Sequence, residues 1–157
     1  MENKLDPRLH FVVATAIVVK KGKFLLVKRA AHEKAFPNKW TVPGGKLVTH
    51  EYGQLPYKTK YPQWYNVIDW VLKKEVMEEA NVEIKKPNYL CDLVFVRPDG
   101  FPVATLSYWA HYKAGKEKPG KDLTECAWVT LKEAKKYDLI EGIWDELKHV
   151  DQILKKA

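Results

Sequence analysis

The sequence contains little cysteine and no long apolar segment. Only Cys91 and Cys126 occur, far apart and outside any paired motif, so the sequence predicts neither a disulfide framework nor a thiolate metal site. The longest apolar run, FVVATAIVV, is about half the length of a membrane span. The first ten residues contain no apolar signal segment. We therefore expect a cytoplasmic protein that does not enter a membrane.

Arginine is also scarce, although the chain is basic. The 27 basic side chains include only three arginines and outnumber 20 acidic ones, which gives a net charge of +7. This excess favours an anionic partner such as a nucleotide, a nucleic acid or an acidic membrane. Proteins that bind nucleic acid usually cluster their basic residues, whereas these lysines are spread along the chain. The charge does not choose among these anionic partners, but nucleic acid is not favoured as the main one.

The order of secondary structure elements predicts one α/β domain with a mixed sheet and helices packed on it. The length of 157 residues suits a single domain. Strands are predicted where β-branched and aromatic residues lie between turn signals: 11–19, 24–27, 40–42, YLCDLVFV, VATLSYWAHY and ECAWVTL. The segment KEAKKY predicts a short helix, and an apolar stripe from Ile140 to Leu154 predicts a C-terminal helix.

The central helix is predicted over residues 66–80, where apolar residues recur at spacings of three and four. Asn66 is a candidate N-cap. Asn81 is a candidate for the residue just after the helix, because asparagine tolerates the left-handed conformation. Between the double glycine and this helix lies HEYGQLPYKTKYPQWYN, an aromatic stretch without a period, which we expect to be an ordered loop or flap.

Three acids lie on the apolar side of this helix. At about 100° per residue, Glu75, Glu78 and Glu79 project at nearly the same angles as the apolar residues one and two turns earlier. A solvated acidic face is the common alternative for such a charge run. Carboxylates turned toward the protein repel one another and lose solvation unless a cation compensates them. Mg²⁺ or Mn²⁺, which prefer carboxylate oxygens, are the simplest compensating ions.

The segments GGKLVTHE and KEVMEEANV together resemble the Nudix box of the Nudix hydrolases, G-x5-E-x7-R-E-U-x-E-E-x-G-U, where U is a bulky aliphatic residue. Gly45 and Glu51 match its first part, and residues 74–82 match its second part. The resemblance extends to the initial strand pair, KWTVPGG and TECAWVTLKEA, which is most of the chain. It implies the Nudix-like α/β/α sandwich with a mixed β-sheet, as a single domain over residues 1–157.

The sequence departs from the box in three places. An insertion of fifteen residues, at about 52–66, separates Glu51 from the helix; a loop insertion costs little closure entropy. Lys74 stands where the family has arginine, so it keeps the charge and can still pair with Glu51, but it loses the bidentate fork. Asn81 stands in place of glycine, which is a mild exchange at a helix end. All the glutamates of the box are present.

The resemblance implies metal-dependent hydrolysis of a nucleoside diphosphate linked to another moiety, with Mg²⁺ or Mn²⁺ as cofactor. It implies that Glu75, Glu78 and Glu79 bind the metal and that Glu51 and Lys74 support the box. The Gly44 and Gly45 carbonyls are candidates for a further ligand. A box glutamate, Glu79 or Glu78, or an acid on a distant loop serves as general base, and the candidate distant acid is Glu125.

The sequence indicates the substrate-binding residues less clearly. The candidates are Arg29, Lys46 and Arg97 for phosphate and Trp40 for stacking on a base; the alternatives are surface charges and a core aromatic residue. The aromatic insertion is a candidate lid, a candidate contact in a homodimer, or a packed loop without function.

Two classes of function follow. In the first, the chain is an enzyme acting on nucleoside triphosphates, with ADP-ribose or another nucleotide sugar next and capped or triphosphorylated RNA third. In the second, it is a non-catalytic Nudix-fold module that binds nucleotide or RNA, which the two box substitutions permit and the retained glutamates oppose.

Overall fold

A computed structural model describes residues 6–157 as a mixed sheet of eight strands with helices on both faces. Residues 1–5, which the single-domain prediction includes, lie outside the described residues. The strands are β1 Phe11–Lys20, β2 Lys23–Arg29, β3 Trp40–Thr41, β4 Gly44–Lys46, β5 Glu83–Ile84, β6 Asn88–Val96, β7 Pro102–Ala114 and β8 Leu123–Val129. The helices are α1 Thr49–Tyr52, α2 Val67–Ala80, α3 Leu131–Ala134 and α4 Ile143–Lys156.

Strand β1 lies at the centre of the sheet. It pairs antiparallel with β2 through a tight turn at Lys21 and Gly22, as predicted, and antiparallel with β4. Its pairing with β7 is parallel over nine residue pairs, from Phe11 opposite Val103 to Val19 opposite His111. Strand β7 also pairs antiparallel with β5 and β6, and β2 pairs antiparallel with β3 and β8. The predicted mixed sheet is therefore confirmed.

Alternation along β1 divides the core into two layers. Ala16 and Val18 face α2, whereas Ile17 and Val19 face α4, because successive side chains of a strand point to opposite faces. Helix α2 buries Val71, Leu72, Val76 and Ala80 on its side, and α4 buries Ile143, Leu147 and Val150 on the other. This helix–sheet–helix arrangement confirms the predicted α/β/α sandwich. No helix within residues 6–157 combines the length and the apolar character needed to cross a membrane.

The two ends of α2 differ from each other. Asn81 adopts the left-handed conformation with φ of 58°, as predicted, and its N–H donates to the Met77 carbonyl. The prediction that Asn66 caps the helix with its side chain is wrong. Asn66 also has a positive φ, of 60°, and makes no side-chain cap hydrogen bond, because a capping side chain requires an extended backbone at this position.

The aromatic insertion is ordered, as predicted, but its first residue belongs to a helix. Tyr52 ends the four-residue helix α1, and residues 53–66 contain neither helix nor strand. Trp64 holds this segment together: its Nε1–H donates to the Leu55 carbonyl at 2.7 Å, and its ring meets those of Tyr52 and Tyr57 edge-on. Strands β4 and β5 were not predicted, because two or three residues show no alternation.

Candidate functional site

The acids of α2 differ in exposure. The side chain of Glu75 is only 14% exposed, whereas that of Glu78 is 59% exposed. Glu79 is largely desolvated, and desolvation is the main cause that raises its pKa. The prediction that the inner face turns acidic holds only in part: the buried stripe continues as Val76 and Ala80, Glu75 and Glu79 lie partly buried beside it, and Glu78 faces solvent.

Lys74 lies among these carboxylates. Its Nζ is 2.7 Å from Oε1 of Glu75, 3.1 Å from Oε2 of Glu51 and 3.5 Å from Oε2 of Glu78. Desolvation lowers the pKa of Lys74, but the hydrogen bonds and charges of these acids outweigh it, so that its pKa lies above the ordinary value. The predicted pairing of Lys74 with Glu51 is confirmed. One ammonium therefore compensates three carboxylates.

Glu51 brings a second element to the site. It lies in α1, and its buried Oε2 is 3.1 Å from Nζ of Lys74, the ammonium that it shares with Glu75 and Glu78. A buried carboxylate oxygen needs a polar or charged partner, and Lys74 supplies it. Three carboxylates around one ammonium leave an excess of negative charge, which a further cation would compensate.

Glu79 carries the largest perturbation among the acids. Desolvation and the neighbouring Glu75 raise its pKa to about 8, while the Gly44 N–H and the charge of Arg29 act against that rise. Desolvation also raises the pKa of Glu75, against the effect of Lys74. Near neutral pH the metal-free protein therefore holds Glu79 mainly in its protonated form. Gly44 and Arg29 therefore both lie beside this carboxyl group.

Two glycines allow the backbone to approach α2 closely. A Cβ at Gly45 would overlap the side-chain carboxyl of Glu75, so β4 lies against the acid. A Cβ at Gly120 would overlap the Glu78 carbonyl. The Gly120 N–H donates to the Glu79 carbonyl, and the Lys118 N–H donates to the Ala80 carbonyl, both at 2.9 Å. These bonds satisfy carbonyls that a helix end leaves without partners, so this segment fixes the acidic turn of α2.

Sequence reasoning did not find Gly120, and it assigned no role to Cys126. Burial and the carboxylates of Glu117 and Glu79 raise the pKa of the Cys126 thiol to about 11, so the thiol beside Glu79 stays protonated and is a poor nucleophile. No pattern in the sequence signals either residue, because each reaches the site by strand pairing or loop packing across more than 35 positions.

The glutamates are not arranged as a finished coordination shell. Within residues 6–157, no three of them bring ligand atoms within 4.8 Å of one another; His32, Glu33 and Asp122 do so instead. That group lies at the surface, and Glu33 already pairs with Arg29 at 3.2 Å. In the glutamate cluster, the ammonium of Lys74 lies where the three carboxylates approach one another.

Two predicted site residues are not brought to the glutamates. Alternation along β8 puts Glu125 on the sheet face opposite Cys126, where it pairs with Lys28 at 3.3 Å; the expectation that it serves as a distant base is therefore not supported. Trp40 packs in the core layer of α4, with its ring edge-on to Tyr137 at 4.9 Å. It is a core residue, because β3 pairs with β2 and faces the other helix.

The phosphate candidates separate in space. The Arg29 side chain donates to the Ala35 carbonyl and to Glu33 while its charge acts on Glu79, so it lies at the site. Lys46 and Arg97 instead lie near the Phe11 ring, with their charged groups 5.6 and 5.2 Å from its centroid. Arg97 also pairs with Asp99. Their predicted role in binding phosphate stays a prediction.

Solved structures show the same fold. The chain is similar to a MutT Nudix hydrolase of Burkholderia pseudomallei, with 20% identity, a TM-score of 0.71 and coverage of 91% of this chain and 99% of that one. The MutT protein of Methanosarcina mazei is 20% identical, with a TM-score of 0.71 and coverage of 96% of this chain and 99% of that one. The Nudix domain of Shewanella oneidensis NrtR, solved with ADP ribose, is 16% identical, with a TM-score of 0.71 and coverage of 96% of this chain and 94% of that one.

Sequence comparison alone gives no relative. No model of a protein family matches the chain, and no curated protein matches it. At 16–20% identity the structural likeness shows the fold: the chain folds as the Nudix hydrolases do.

Proposed function

We propose that this chain is a Nudix hydrolase that uses a divalent cation to cut a phosphoanhydride bond in a nucleoside diphosphate linked to another moiety. One observation carries the proposal. Glu51 and Glu75 belong to the two box-like segments and are 24 positions apart (75 − 51), yet both contact the ammonium of Lys74. A sequence that needed only a stable helix would place these acids outward.

The residues present fit a divalent cation. The cluster offers hard carboxylate oxygens, which Mg²⁺ and Mn²⁺ prefer, and Glu51, Glu75 and Glu78 share the single ammonium of Lys74, so that the cluster keeps an excess of negative charge. Glu75, Glu78 and Glu79 are the residues that would hold the ion. When bound, such an ion neutralises phosphate charge and lowers the pKa of water. A related fold in a Francisella tularensis protein of two activities was solved with AMP and a manganese ion.

Glu79 has the properties of the proton acceptor. In the absence of a cation, desolvation and Glu75 raise the pKa of Glu79 to about 8; a divalent ion beside the carboxyl group would favour its ionised form, which is the form that accepts a proton. The Gly44 N–H orients its carboxyl group. In the proposed reaction the ionised Glu79 accepts the proton of the attacking water, while Arg29 beside it attracts the phosphate.

The linked moiety divides the candidate substrates. Nucleoside triphosphates lead, and ADP-ribose or another nucleotide sugar follows, since the NrtR domain was solved with ADP ribose. Cleavage of a triphosphate gives a monophosphate and pyrophosphate, whereas cleavage of ADP-ribose gives two monophosphates. Capped or triphosphorylated RNA is the third candidate.

The experiment is product analysis on a nucleotide panel. The purified protein is incubated with each nucleotide in Mg²⁺, in Mn²⁺ and in EDTA, and the products are separated by ion-exchange chromatography. We expect turnover that depends on the metal and stops in EDTA. No turnover of any nucleotide in either metal, together with no metal binding by calorimetry, would refute the proposal.

A second candidate is a non-catalytic module that binds nucleotide or RNA. The observation favouring it is that Lys74 already compensates the acids, so that the cluster is stable without metal. This candidate predicts binding that is unchanged in EDTA and, for RNA, weakens steeply with salt. Filter binding at several salt concentrations, with and without Mg²⁺, separates the two candidates.

A further inference from the structure

A cavity lies between the aromatic insertion and the first turn of α2. Its volume is about 580 Å³, which is within the range of small-molecule sites. Its lining combines the aliphatic residues Leu47, Val67 and Ile68 with four aromatic and two polar residues: Tyr52, Trp64, Tyr65, Tyr108, Asn66 and Asp69. Three of these aromatic rings come from the insertion, which the Nudix box pattern lacks. The insertion therefore builds a pocket of its own beside the acidic cluster.

The aromatic wall of this pocket is held in place. The Trp64 indole N–H is committed to the Leu55 carbonyl at 2.7 Å, and its ring lies edge-on to Tyr52 at 5.3 Å and to Tyr57 at 5.5 Å. Tyr65 at the rim is 82% exposed. Fixed rings with exposed area offer a stacking surface for a planar ligand at low entropic cost.

The polar side chains of the pocket determine which hydrogen-bonding groups a stacked planar ligand would need. Asp69 is half-buried and, within residues 6–157, makes no salt bridge. An ionised carboxylate only accepts hydrogen bonds, so it favours a ring edge with adjacent N–H donors. The Asn66 amide can donate to a neighbouring ring carbonyl. Guanine presents this set, through its N1–H, 2-amino and O6 groups, whereas adenine turns its N1 acceptor toward the carboxylate.

The distance to the acidic cluster suits one bound nucleotide. Asp69 and Glu75 are six positions apart on α2, which corresponds to about 9 Å along the axis and about 120° around it. The link between the pocket and the glutamates therefore runs along the other wall: Leu47 lines the pocket two positions after Gly45, which lies against Glu75, and Tyr52 directly follows Glu51. The phosphates of a nucleotide in the pocket would extend along this wall toward the glutamates.

We propose that the insertion pocket binds the base of the substrate and prefers a guanine ring, which stacks on the insertion aromatics and donates to Asp69. This inference rests on the proposed function for its biological meaning, since it names the base of the nucleotide that is hydrolysed. The pocket and its chemistry are separate from the glutamates, so binding can be measured without catalysis.

The test uses nucleosides, which contain no phosphate, in EDTA. Affinities of the full chain for guanosine, inosine and adenosine are measured by calorimetry. A bidentate contact discriminates between bases by about 10-fold or more. We expect guanosine to bind most tightly, inosine, which lacks the 2-amino group, more weakly, and adenosine most weakly. Equal affinities, or no binding of any nucleoside, would overturn the proposal.

Two variants and a control locate the site. Asp69→Asn should weaken guanosine binding about 10-fold and leave adenosine binding unchanged, because the amide no longer accepts both N–H groups. Tyr65→Ala, at an exposed position that the fold does not need, should weaken all three nucleosides. Asp145→Asn, in the first turn of α4, should change none. Unchanged guanosine binding in both pocket variants would refute the assignment.

The two proposals fail separately. Guanosine binding that depends on Asp69, without hydrolysis of any guanine nucleotide, supports the pocket and removes the proposed function. Metal-dependent hydrolysis with equal rates for guanine and adenine nucleotides, and no nucleoside binding, removes the pocket and leaves the proposed function intact.

Discussion

Helices α2 and α4 are both fourteen residues long and lie on opposite faces of one sheet, yet they use their inner faces differently. The buried face of α4 is apolar, with Leu147 and Val150 fully buried. The buried face of α2 stays apolar to its end, through Val76 and Ala80, but the partly buried acids Glu75 and Glu79 flank it in the second half. Helix α4 follows the rule that stabilises a domain, and α2 departs from it where chemistry is expected.

The largest effect should come from removing an acid of α2. Glu79→Gln should reduce turnover by about three orders of magnitude, because the amide cannot accept the proton and is a poor metal ligand. Glu78→Gln should also reduce turnover strongly. Rates are measured on the best nucleotide of the panel at saturating Mg²⁺. Asp145→Asn on α4 is the control and should retain full activity; equal rates in all variants would contradict the assigned roles.

Removing a core side chain of α4 should instead affect stability. Leu147→Ala should lower the free energy of unfolding by about 2–5 kcal/mol, since the side chain is fully buried. Urea denaturation measures this loss. Under conditions where the variant is folded, its kcat should be within a few-fold of the wild-type value. A large loss of kcat in a folded Leu147→Ala protein would show that α4 also serves the site.

Lys74→Met tests the internal cation. Because Lys74 compensates three carboxylates, its loss should destabilise the metal-free protein by about 1–3 kcal/mol, and Mg²⁺ should raise the Tm of the variant more than that of the wild type. Thermal unfolding with and without Mg²⁺ measures both. Lys73→Met, at the exposed neighbouring position, is the matched control and should respond to Mg²⁺ as the wild type does. A smaller metal response in Lys74→Met would mean that Lys74 assists metal binding.

The free energy of unfolding should depend on pH through the titration of Glu79. Its pKa is about 8 in the fold and near 4.3 in an unfolded chain. The folded state therefore binds this proton more tightly than the unfolded state does. The protonated Glu79 contributes its full stabilisation below about pH 4.3, and this contribution is lost as the pH rises through about 8. In EDTA, Glu79→Gln should flatten this decline relative to Asp145→Asn. Denaturation at pH 5 and pH 9 measures it, and identical slopes would contradict the assignment.

The smallest effect should come from the end of α2. Asn81→Gly restores the residue of the Nudix box at a left-handed position, which favours glycine, but it removes the hydrogen bond from the Asn81 side chain to the Lys116 carbonyl. These opposing effects should leave the free energy of unfolding within about 1 kcal/mol of the wild type. Loss of several kcal/mol would show that the side-chain bond anchors the segment that packs on α2.

Local patterns predicted the regular elements well. The hairpin at Lys21 and Gly22, the left-handed Asn81 and the partly buried acids of α2 all follow from the spacing of residues within a few turns or strands. Patterns of this kind depend on neighbouring residues alone, so the sequence states them directly. Asn66 stands at the N-cap position, but its positive φ keeps its side chain from capping the helix, and residue type alone does not predict that backbone angle.

Long-range placement could not be predicted. The face to which Glu125 points depends on the register of β8 against β2, the packing of Trp40 depends on which strand β3 joins, and the carbonyls of α2 are completed by a loop some forty residues later. Each of these depends on contacts between distant segments, for which a single sequence gives no periodic signal.

The sequence by itself determined the acidic box and its two substitutions, because these are spacings along one helix and the loop before it. Only the tertiary structure decided that one lysine compensates three of the acids, that desolvation raises the pKa of Glu79, and that the aromatic insertion forms one wall of an open pocket. The physical reason is that desolvation and charge compensation depend on which groups surround a side chain, and the folded chain alone brings those groups together.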